Sequence, residues 1–258
     1  MNSFETIGRE YRFFQANSSE STRTIEKIES LLRRRPVPAR VLDFGGGDGS
    51  FFRALLRQKS LLSQAVKNGS CRVSLVEPSR AHRERARASF PGLMTRARLS
   101  KRTVGFDLIL ANHVIYYLDD PEETIRRLQR LLNPGGMLLV TMARSRENAL
   151  TGYWVGIFSD LGWEMPFVRA EDLRKAWNGF RRYPIRSRVR FSDTPANRFM
   201  LSRFVLGRWF DRVERALGRK ELLERWGSHR KSGELQLTLV DDLYCFHRSG
   251  ARLKQRSH

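Results

Sequence analysis

A cluster of four glycines directly after a short apolar run restricts the fold of this chain more than any other feature. Arg40–Phe44 has the composition of a strand, and Gly45-Gly46-Gly47-Asp48-Gly49 follows it without a gap. Glycine allows sharp turns and lets the backbone approach a ligand without an intervening side chain. The apolar residues of Ser50–Val66 then recur at helical spacing. We therefore predict a strand, a tight loop and a helix whose first N–H groups are open to a ligand.

Strands and helices alternate through the next part of the chain. Apolar runs predict further strands at Arg72–Val76, Met94–Leu99, Phe106–Ala111 and Met137–Met142, with helical stretches between them. Phe106–Ala111 is the kind of apolar run expected of a strand that is covered on both faces. Such an alternation predicts parallel pairing through right-handed crossovers, and therefore a doubly wound α/β sheet.

A helix precedes this alternating part, and an aromatic-rich part follows it. Glu20–Leu32 carries its apolar residues on one stripe and ends at a proline-containing segment. Beyond Ala143 we predict helices and two strands, Arg186–Phe191 and Glu234–His247. Ala196–Gly218 alternates aromatic residues with arginines, which fits a helix packed over the sheet edge or a basic amphipathic surface for an acyl or membrane-associated substrate.

The chain is strongly basic. Its 258 residues include 48 Lys and Arg against 27 Asp and Glu, a formal net charge of +21. Such a charge attracts polyanions such as RNA, DNA or an anionic membrane, but the basic residues are dispersed, and an arginine-rich composition explains them equally well.

The two cysteines, Cys71 and Cys245, have no partner at metal-ligand spacing, so we expect buried free thiols and no metal site. Without a long apolar run, we expect a soluble, cytoplasmic protein.

Dinucleotide cofactors are one class of ligand that glycine loops of this type bind. A dinucleotide loop of the G-x-G-x-x-G type, counted from Gly45, places Ser50 where the last glycine belongs. The next acidic strand end, Glu77, lies 28 residues after Gly49, whereas a dinucleotide site needs about 20. The spacing therefore argues against a dinucleotide site.

The motifs instead resemble those of class I methyltransferases that use S-adenosylmethionine. Glycines 45, 47 and 49 after Asp43 resemble the first motif of that family, and the resemblance continues over Arg40–Ala143. Its other blocks are Leu75-Val76-Glu77-Pro78-Ser79, Phe106–Leu118 and Leu132-Asn133-Pro134-Gly135-Gly136. The resemblance implies a mostly parallel seven-stranded sheet with an antiparallel last strand, S-adenosylmethionine as cofactor and S-adenosylhomocysteine as product.

The resemblance also assigns cofactor-binding residues. The glycine loop would pass under the methionine part of the cofactor, Asp43 would help to hold its ammonium group, and Glu77 would accept both ribose hydroxyls. Many family members bind adenine with an acidic residue, and only Ser100 stands near that position here. The full implied set is Asp43, Gly45, Gly46, Gly47, Gly49, Glu77, Pro78, Ser100, Asn112 and His113.

The outer parts of the chain are similar to the histamine N-methyltransferase branch of the family. The matching features are Tyr11-Arg12-Phe13-Phe14, Ser18-Ser19-Glu20, Tyr116-Tyr117 and Lys231-Ser232-Gly233. By this similarity, Glu20 faces an amine substrate, His113 replaces a glutamine of the branch, and Asp242 falls near its last-strand asparagine. Tyr11, Tyr116 and Tyr117 complete the implied substrate site.

These assignments define one domain over residues 1–258. It comprises a helical substrate cap at 1–38, a cofactor-binding core at 39–143, and substrate-side helical insertions with the last strands at 144–258. Methyl transfer from a sulfonium is an in-line displacement, so alignment and exclusion of water are its main requirements. An amine must lose a proton first, and His113, with an ordinary pKa of about 6.5, is the predicted base. Glu20 is the second predicted catalytic residue.

We therefore predict methylation of a small molecule, most simply at an amine nitrogen. Alternatives are an RNA or other nucleic-acid methyltransferase, a methyltransferase of a lipophilic, membrane-associated substrate, and a binding protein without turnover. The segment Asn112-His113-Val114-Ile115 lacks the Asn-Pro-Pro-aromatic motif of adenine methylation. Peripheral contact with an anionic membrane stays open.

Overall fold

The computed structural model describes residues 7–100 and 105–249. The strands are β1 Arg40–Phe44, β2 Arg72–Val76, β3 Met94–Arg96, β4 Phe106–Asn112, β5 Leu132–Ala143, β6 Arg181–Ser192, β7 Arg230–Lys231 and β8 Glu234–His247. The α-helices are α1 Gly8–Asn17, α2 Glu20–Leu32, α3 Ser50–Arg57, α4 Leu61–Lys67, α5 Arg80–Ser89, α6 Pro121–Arg130, α7 Ala149–Asp160, α8 Pro195–Leu206, α9 Phe210–Leu217 and α10 Arg219–Glu224. Within the described residues, no helix combines the length and hydrophobicity that a membrane crossing requires.

The strands form a mostly parallel sheet in the order β3-β2-β1-β4-β5-β8-β6. β1 pairs in parallel with β2 and β4, and β5 pairs in parallel with β4. β8 is antiparallel to β5, because Gly135 N–H donates to Arg248 O whereas Arg144 N–H donates to Val240 O. The predicted doubly wound fold is thus confirmed, with an eighth strand, β7, paired to β8. The strand order reverses between β1 and β4, where sheets of this type bind ligands at the carboxyl ends.

Two of the elements predicted before residue 100 differ from the structure. The helix predicted over Ser50–Val66 is two helices, because Ser60 starts a new one by accepting the N–H of Ser63 at 3.2 Å. The strand predicted over Met94–Leu99 ends at Arg96, the last residue that pairs with β2.

A third difference concerns the segment Asn133–Gly136. We predicted a strand over Met137–Met142, but β5 already starts at Leu132. The register between β4 and β5 shifts between Phe106 and Leu108, which accommodates the extra residues. The backbone of Gly135 and Gly136 pairs with Arg248, so the Asn-Pro-Gly-Gly segment is part of the sheet edge toward β8.

The chain divides into two compact units. We call the first the sheet unit: Lys27–Met142, Asp172–Tyr183 and Leu243–His258. The second, the aromatic unit, comprises Met1–Glu26, Ala143–Glu171 and Pro184–Asp242. The organisation as one domain with boundaries after residues 38 and 143 stays a prediction.

The core of the aromatic unit combines aromatic and aliphatic side chains. The rings of Tyr153 and Trp226 are stacked with centroids 3.9 Å apart. Trp226 Nε1–H donates to Ser202 Oγ at 2.9 Å, and Ser202 Oγ is also hydrogen-bonded to the Tyr153 hydroxyl at 3.0 Å. The Tyr153 hydroxyl donates to Leu222 O at 3.0 Å. Buried polar groups need such partners, so Ser202 connects the two rings as well as α7 and α8.

Ser202→Ala should lower the free energy of unfolding by about 1–3 kcal/mol, because the indole N–H of Trp226 loses its acceptor in a dry core. Chemical denaturation monitored by tryptophan fluorescence measures the change. Ser159→Ala, at an exposed position of α7, is the control and should have little effect. Equal stability of the two variants would contradict this role of Ser202.

Candidate functional site

The glycine loop joins β1 to α3 in a tight turn. Gly45 N–H donates to Val76 O at 2.7 Å, and Gly49 N–H donates to Gly46 O at 2.9 Å. A Cβ atom on Gly46 would lie 2.2 Å from Asp43 Oδ2, so a larger residue there would displace the Asp43 carboxyl. Gly47 has φ +56°, and a Cβ there would meet no atom within 4 Å. The loop therefore packs against Asp43 at Gly46 and faces open space at Gly47.

Asp43 is a buried carboxyl near the end of β1. Its Oδ2 atom has no hydrogen-bond partner among the described residues, although the residue is only 2% exposed. Burial, with a smaller contribution from the charge of Glu77, raises the pKa of Asp43 to about 7. A buried acceptor of this kind suits a cationic ligand group, since a nearby positive charge would restore the ionised form.

Glu77 follows β2 and links it to the glycine loop. Its Oε2 accepts the N–H of Gly47 at 3.2 Å, and its Oε1 accepts the N–H of Ser79 at 2.8 Å. Burial alone would raise the pKa of Glu77, but the interactions with His82, Ser79 and Gly47 outweigh it, and the pKa is lowered. Glu77 is therefore ionised at neutral pH, whereas Asp43 is half protonated near pH 7.

His82 was not among the predicted site residues. Its Nδ1 lies 3.8 Å from Glu77 Oε1, and its side chain is 12% exposed. The helix cap positions it, because Ser79 Oγ accepts the N–H of His82 at 3.2 Å. A histidine in the first turn of the helix after an acidic strand end is the sequence signal for this contact.

The end of β4 carries Asn112 and His113. Asn112 Oδ1 is a second buried acceptor without a hydrogen-bond partner among the described residues. His113 has φ +51°, and its N–H donates to Thr141 O at 3.1 Å. Its Nδ1 lies 3.3 Å from the Tyr116 hydroxyl. A positive φ is uncommon for a non-glycine residue, and such strained backbone concentrates at functional sites.

The other predicted residues of the sheet unit lie at its surface. Pro78 is exposed, and its carbonyl accepts from Arg83 at 2.6 Å. Ser100 is exposed, and its carbonyl lies 3.4 Å from Arg127 Nη2. The ring of Tyr117, which is 58% exposed, lies edge-on to that of Tyr116 with centroids 6.0 Å apart. The role of Ser100 at adenine stays a prediction.

Glu20 belongs to the aromatic unit, where it starts α2. Its N–H donates to Ser18 Oγ at 3.1 Å. Its side chain is within hydrogen-bonding contact of Asp241, a fully buried residue of β8. Burial, followed by the charges of Glu20 and Asp242, raises the pKa of Asp241 well above its ordinary value. Two carboxyl groups in contact resist double ionisation, so the contact with Glu20 favours the protonated form of Asp241.

Asp242, the substrate-binding residue predicted on the last strand, forms an ion pair within the protein. Arg144 binds it in a two-pronged ion pair, with both N–O distances 2.9 Å. The β8 carboxyl that contacts Glu20 is its neighbour Asp241, which also accepts from Asn148 Nδ2 at 3.0 Å. A substrate contact for Asp242 stays a prediction, but Asp241 is the residue that the sequence reasoning missed. The Asp-Asp doublet within an apolar strand was its only signal.

Two further features of the aromatic unit concern the predicted substrate site. The Tyr11 hydroxyl accepts from Gln15 Nε2 at 2.7 Å, and its ring lies 5.9 Å from that of Phe204. A cleft of about 580 Å³ has Asn148, Gly152 and Arg225 among its lining residues. Its volume lies within the range of small-molecule pockets, about 300–1,000 Å³.

The structure thus brings part of the predicted set into direct contact. Asp43, Gly46, Gly47 and Glu77 form one network in the sheet unit. These groups fit S-adenosylmethionine, because they offer a buried acceptor for an ammonium group, an ionised carboxylate for hydroxyls, and open space at Gly47. Tyr11, Glu20 and Asp242 belong to the aromatic unit.

Comparison with known proteins supports this interpretation of the site. A family model described as a methyltransferase domain matches residues 14–180. The chain is 30% identical over 148 residues to trans-aconitate 2-methyltransferase of Variovorax paradoxus, a match that covers 57% of this chain and 55% of that protein. It is 27% identical over 201 residues to the Acidovorax ebreus enzyme of the same name, covering 74% of each chain. The chain therefore spans about half the length of the first of these relatives.

Solved structures agree in fold. N-methyltransferase NodS of Bradyrhizobium japonicum, in complex with S-adenosylhomocysteine, superimposes with a TM-score of 0.51 at 16% identity, over 96% of this chain and 99% of that one. A SAM-dependent methyltransferase of Thermotoga maritima gives 0.53 at 18% identity, with the same coverage.

The family model covers more than half of the 258 residues, including the glycine loop and Glu77. It confirms the family and the cofactor inferred from the motifs. The chain belongs to the methyltransferase domain family and is an S-adenosylmethionine-dependent methyltransferase of the class I fold.

Proposed function

We propose that this enzyme methylates the amine nitrogen of a small molecule. The observation that carries the proposal is the contact between half-buried Glu20 and fully buried Asp241, with Asp242 beside it on β8. A cation is attracted to such a cluster of carboxyl groups, whereas an anion is repelled. An amine acceptor therefore suits this enzyme better than a carboxylate acceptor such as the trans-aconitate named for two relatives.

When bound, the cofactor would supply a methyl group on a sulfonium; the acceptor nitrogen would bond to this methyl carbon in line as the C–S bond breaks and S-adenosylhomocysteine leaves. The chain's part is alignment and exclusion of water. We assign Asp43 to the ammonium group, the backbone of Gly47 to the methionine part, and Glu77 to the ribose hydroxyls. Each has the required chemistry: a buried acceptor with a raised pKa, an open glycine and an ionised carboxylate.

The acceptor must reach the reaction as a neutral amine. His113 is the proposed proton acceptor, since an imidazole accepts a proton near neutral pH. Its contact with Tyr116 at Nδ1 and its fixed backbone hold the ring in one orientation. Glu20 is the proposed orienting group for the cationic form of the amine.

The cleft in the aromatic unit supports a small acceptor. Asn148 lines this cleft of about 580 Å³ and also donates to Asp241. A ligand of metabolite size in the cleft would therefore lie one side chain away from the carboxyl pair.

Gly47→Ala should weaken S-adenosylmethionine binding at least tenfold, because the new methyl group enters the open space assigned to the cofactor. Gly69→Ala is the matched control. Gly69 also has positive φ, +78°, and no atom within 4 Å of its Cβ position. Both variants should lose about 1–2 kcal/mol of stability from backbone strain. Isothermal calorimetry that finds equal cofactor affinity in the two variants would refute the placement.

Cofactor affinity should rise with pH up to about 7. Asp43 is protonated below that pH, and an ammonium group needs the ionised form, so affinity should fall as much as tenfold for each pH unit below about 7. Asp43→Asn should bind more weakly and show a flatter pH dependence. Calorimetry at several pH values measures both, and a flat wild-type profile would contradict the assignment of Asp43.

The raised pKa of Asp43 should also change how the free energy of unfolding depends on pH when no cofactor is bound. Folded Asp43 keeps its proton up to about pH 7, whereas the unfolded chain loses it near pH 3.9. The folded state therefore binds more protons in this window, and the free energy of unfolding should fall as pH rises through it, on the order of 4 kcal/mol in total. Asp43→Asn should remove most of this fall in denaturant titrations.

Glu20→Gln should lower kcat/KM for amine acceptors at least tenfold, because the cationic amine loses a charged partner. Glu26→Gln changes an exposed carboxylate of the same helix, bound to Arg23, and should leave kcat/KM unchanged. Mass spectrometry with labelled cofactor and a panel of amines, carboxylates and RNA identifies the acceptor. Unchanged turnover of Glu20→Gln, or preferred methylation of carboxylates, would contradict the proposal.

A further inference from the structure

Three arginines lie along one face of the helical segment that runs into α9. Arg208 belongs to the 3₁₀ turn Gly207–Trp209, and Arg212 and Arg215 belong to α9. Positions four and then three residues apart are neighbours on a helix surface. All three side chains are exposed. The segment thus presents one basic stripe to solvent.

Two tryptophans of the aromatic unit lie under this stripe. The Arg212 guanidinium lies 4.2 Å from the ring centroid of Trp163 and 5.3 Å from that of Trp209. Arg208 lies 5.8 Å from the Trp209 centroid. Both rings are half-buried. We call these five residues, Arg208, Arg212, Arg215, Trp163 and Trp209, the Arg–Trp face.

The charge of this face is not neutralised locally. No described carboxylate lies within ion-pair distance of Arg208, Arg212 or Arg215, while the nearby Glu214 is paired with Arg219. Asp211 adds one exposed negative charge on α9. The face therefore keeps a net positive charge, on a protein whose net charge is +21.

We propose that the Arg–Trp face binds the anionic surface of a lipid bilayer. Guanidinium groups bind lipid phosphates through charge-assisted hydrogen bonds, and tryptophan edges are accommodated at headgroup depth. A helix that lies flat presents all three arginines to the membrane plane at once. This contact is independent of the acceptor that the enzyme methylates.

RNA, the other large polyanion, fits this face less well. Single-stranded nucleic acids gain most from bases that stack on open aromatic faces. Here the Arg212 guanidinium lies over both tryptophan rings. A bilayer needs only the charges and the ring edges, so it is the partner that the arrangement favours.

Co-sedimentation of the full chain with vesicles tests the proposal. The wild-type protein should bind vesicles of phosphatidylcholine with phosphatidylserine and should dissociate from them as the salt concentration rises. It should not bind vesicles of pure phosphatidylcholine. Each basic residue at an anionic surface contributes about fivefold to partition. The variant R208E/R212E/R215E should therefore partition at least tenfold more weakly. Its circular dichroism and S-adenosylmethionine affinity should match those of wild type.

The matched control is R57E/R72E/R85E, which makes the same change in net charge at exposed arginines of the sheet unit. It should lose much less vesicle binding than R208E/R212E/R215E. Equal losses in the two variants would show a general charge effect and overturn the proposal, as would wild type that ignores anionic vesicles at low salt. Retention of an RNA oligonucleotide that depends on Arg208, Arg212 and Arg215, without vesicle binding, would also overturn it.

Discussion

The hydrogen bonds of the Glu77 carboxylate hold the candidate cofactor site together. One oxygen accepts from Gly47 and the other from Ser79, so a single side chain joins the glycine loop to the end of β2. The contact with His82, together with these bonds, lowers the pKa of Glu77 despite its burial. The same negative charge then contributes to the raised pKa of Asp43. The conformation of the loop and the protonation of the neighbouring carboxyl thus depend on one buried charge.

The sheet unit was well suited to prediction from sequence because its signals are local. A strand that ends in closely spaced glycines has few conformations available. In the structure, Gly46 packs against Asp43 and Gly47 faces open space, as expected of a tight loop that faces a ligand. The alternation predicts a strand that ends next to Glu77, whereas the role of this residue was implied by the resemblance to class I methyltransferases. The break in Ser50–Val66 was not predicted, because the apolar spacing continues across it and only the Ser60 cap marks a new start.

The aromatic unit was harder because its contacts are distant in sequence. Asp241 meets Glu20 and Asn148, and Arg144 takes Asp242, across separations of about a hundred residues or more. An approximate alignment along β8 that is wrong by one residue changes the face of the strand. A shift of one residue separates Asp242, which forms an ion pair with Arg144, from Asp241, which contacts the carboxyl group of Glu20.

Asp43 and the pair of Glu20 and Asp241 are subject to the same energetic constraint, the cost of burying a carboxylate charge. A carboxylate assigned to a cation must be buried to bind it well, yet a buried charge without a partner is costly. Protonation lowers that cost, and burial raises the pKa of both Asp43 and Asp241 in that direction. Binding of a cation then exchanges a proton for an ammonium group. Release of a proton in this exchange would link the proposed binding of the cofactor's ammonium group, and of an amine acceptor, to pH.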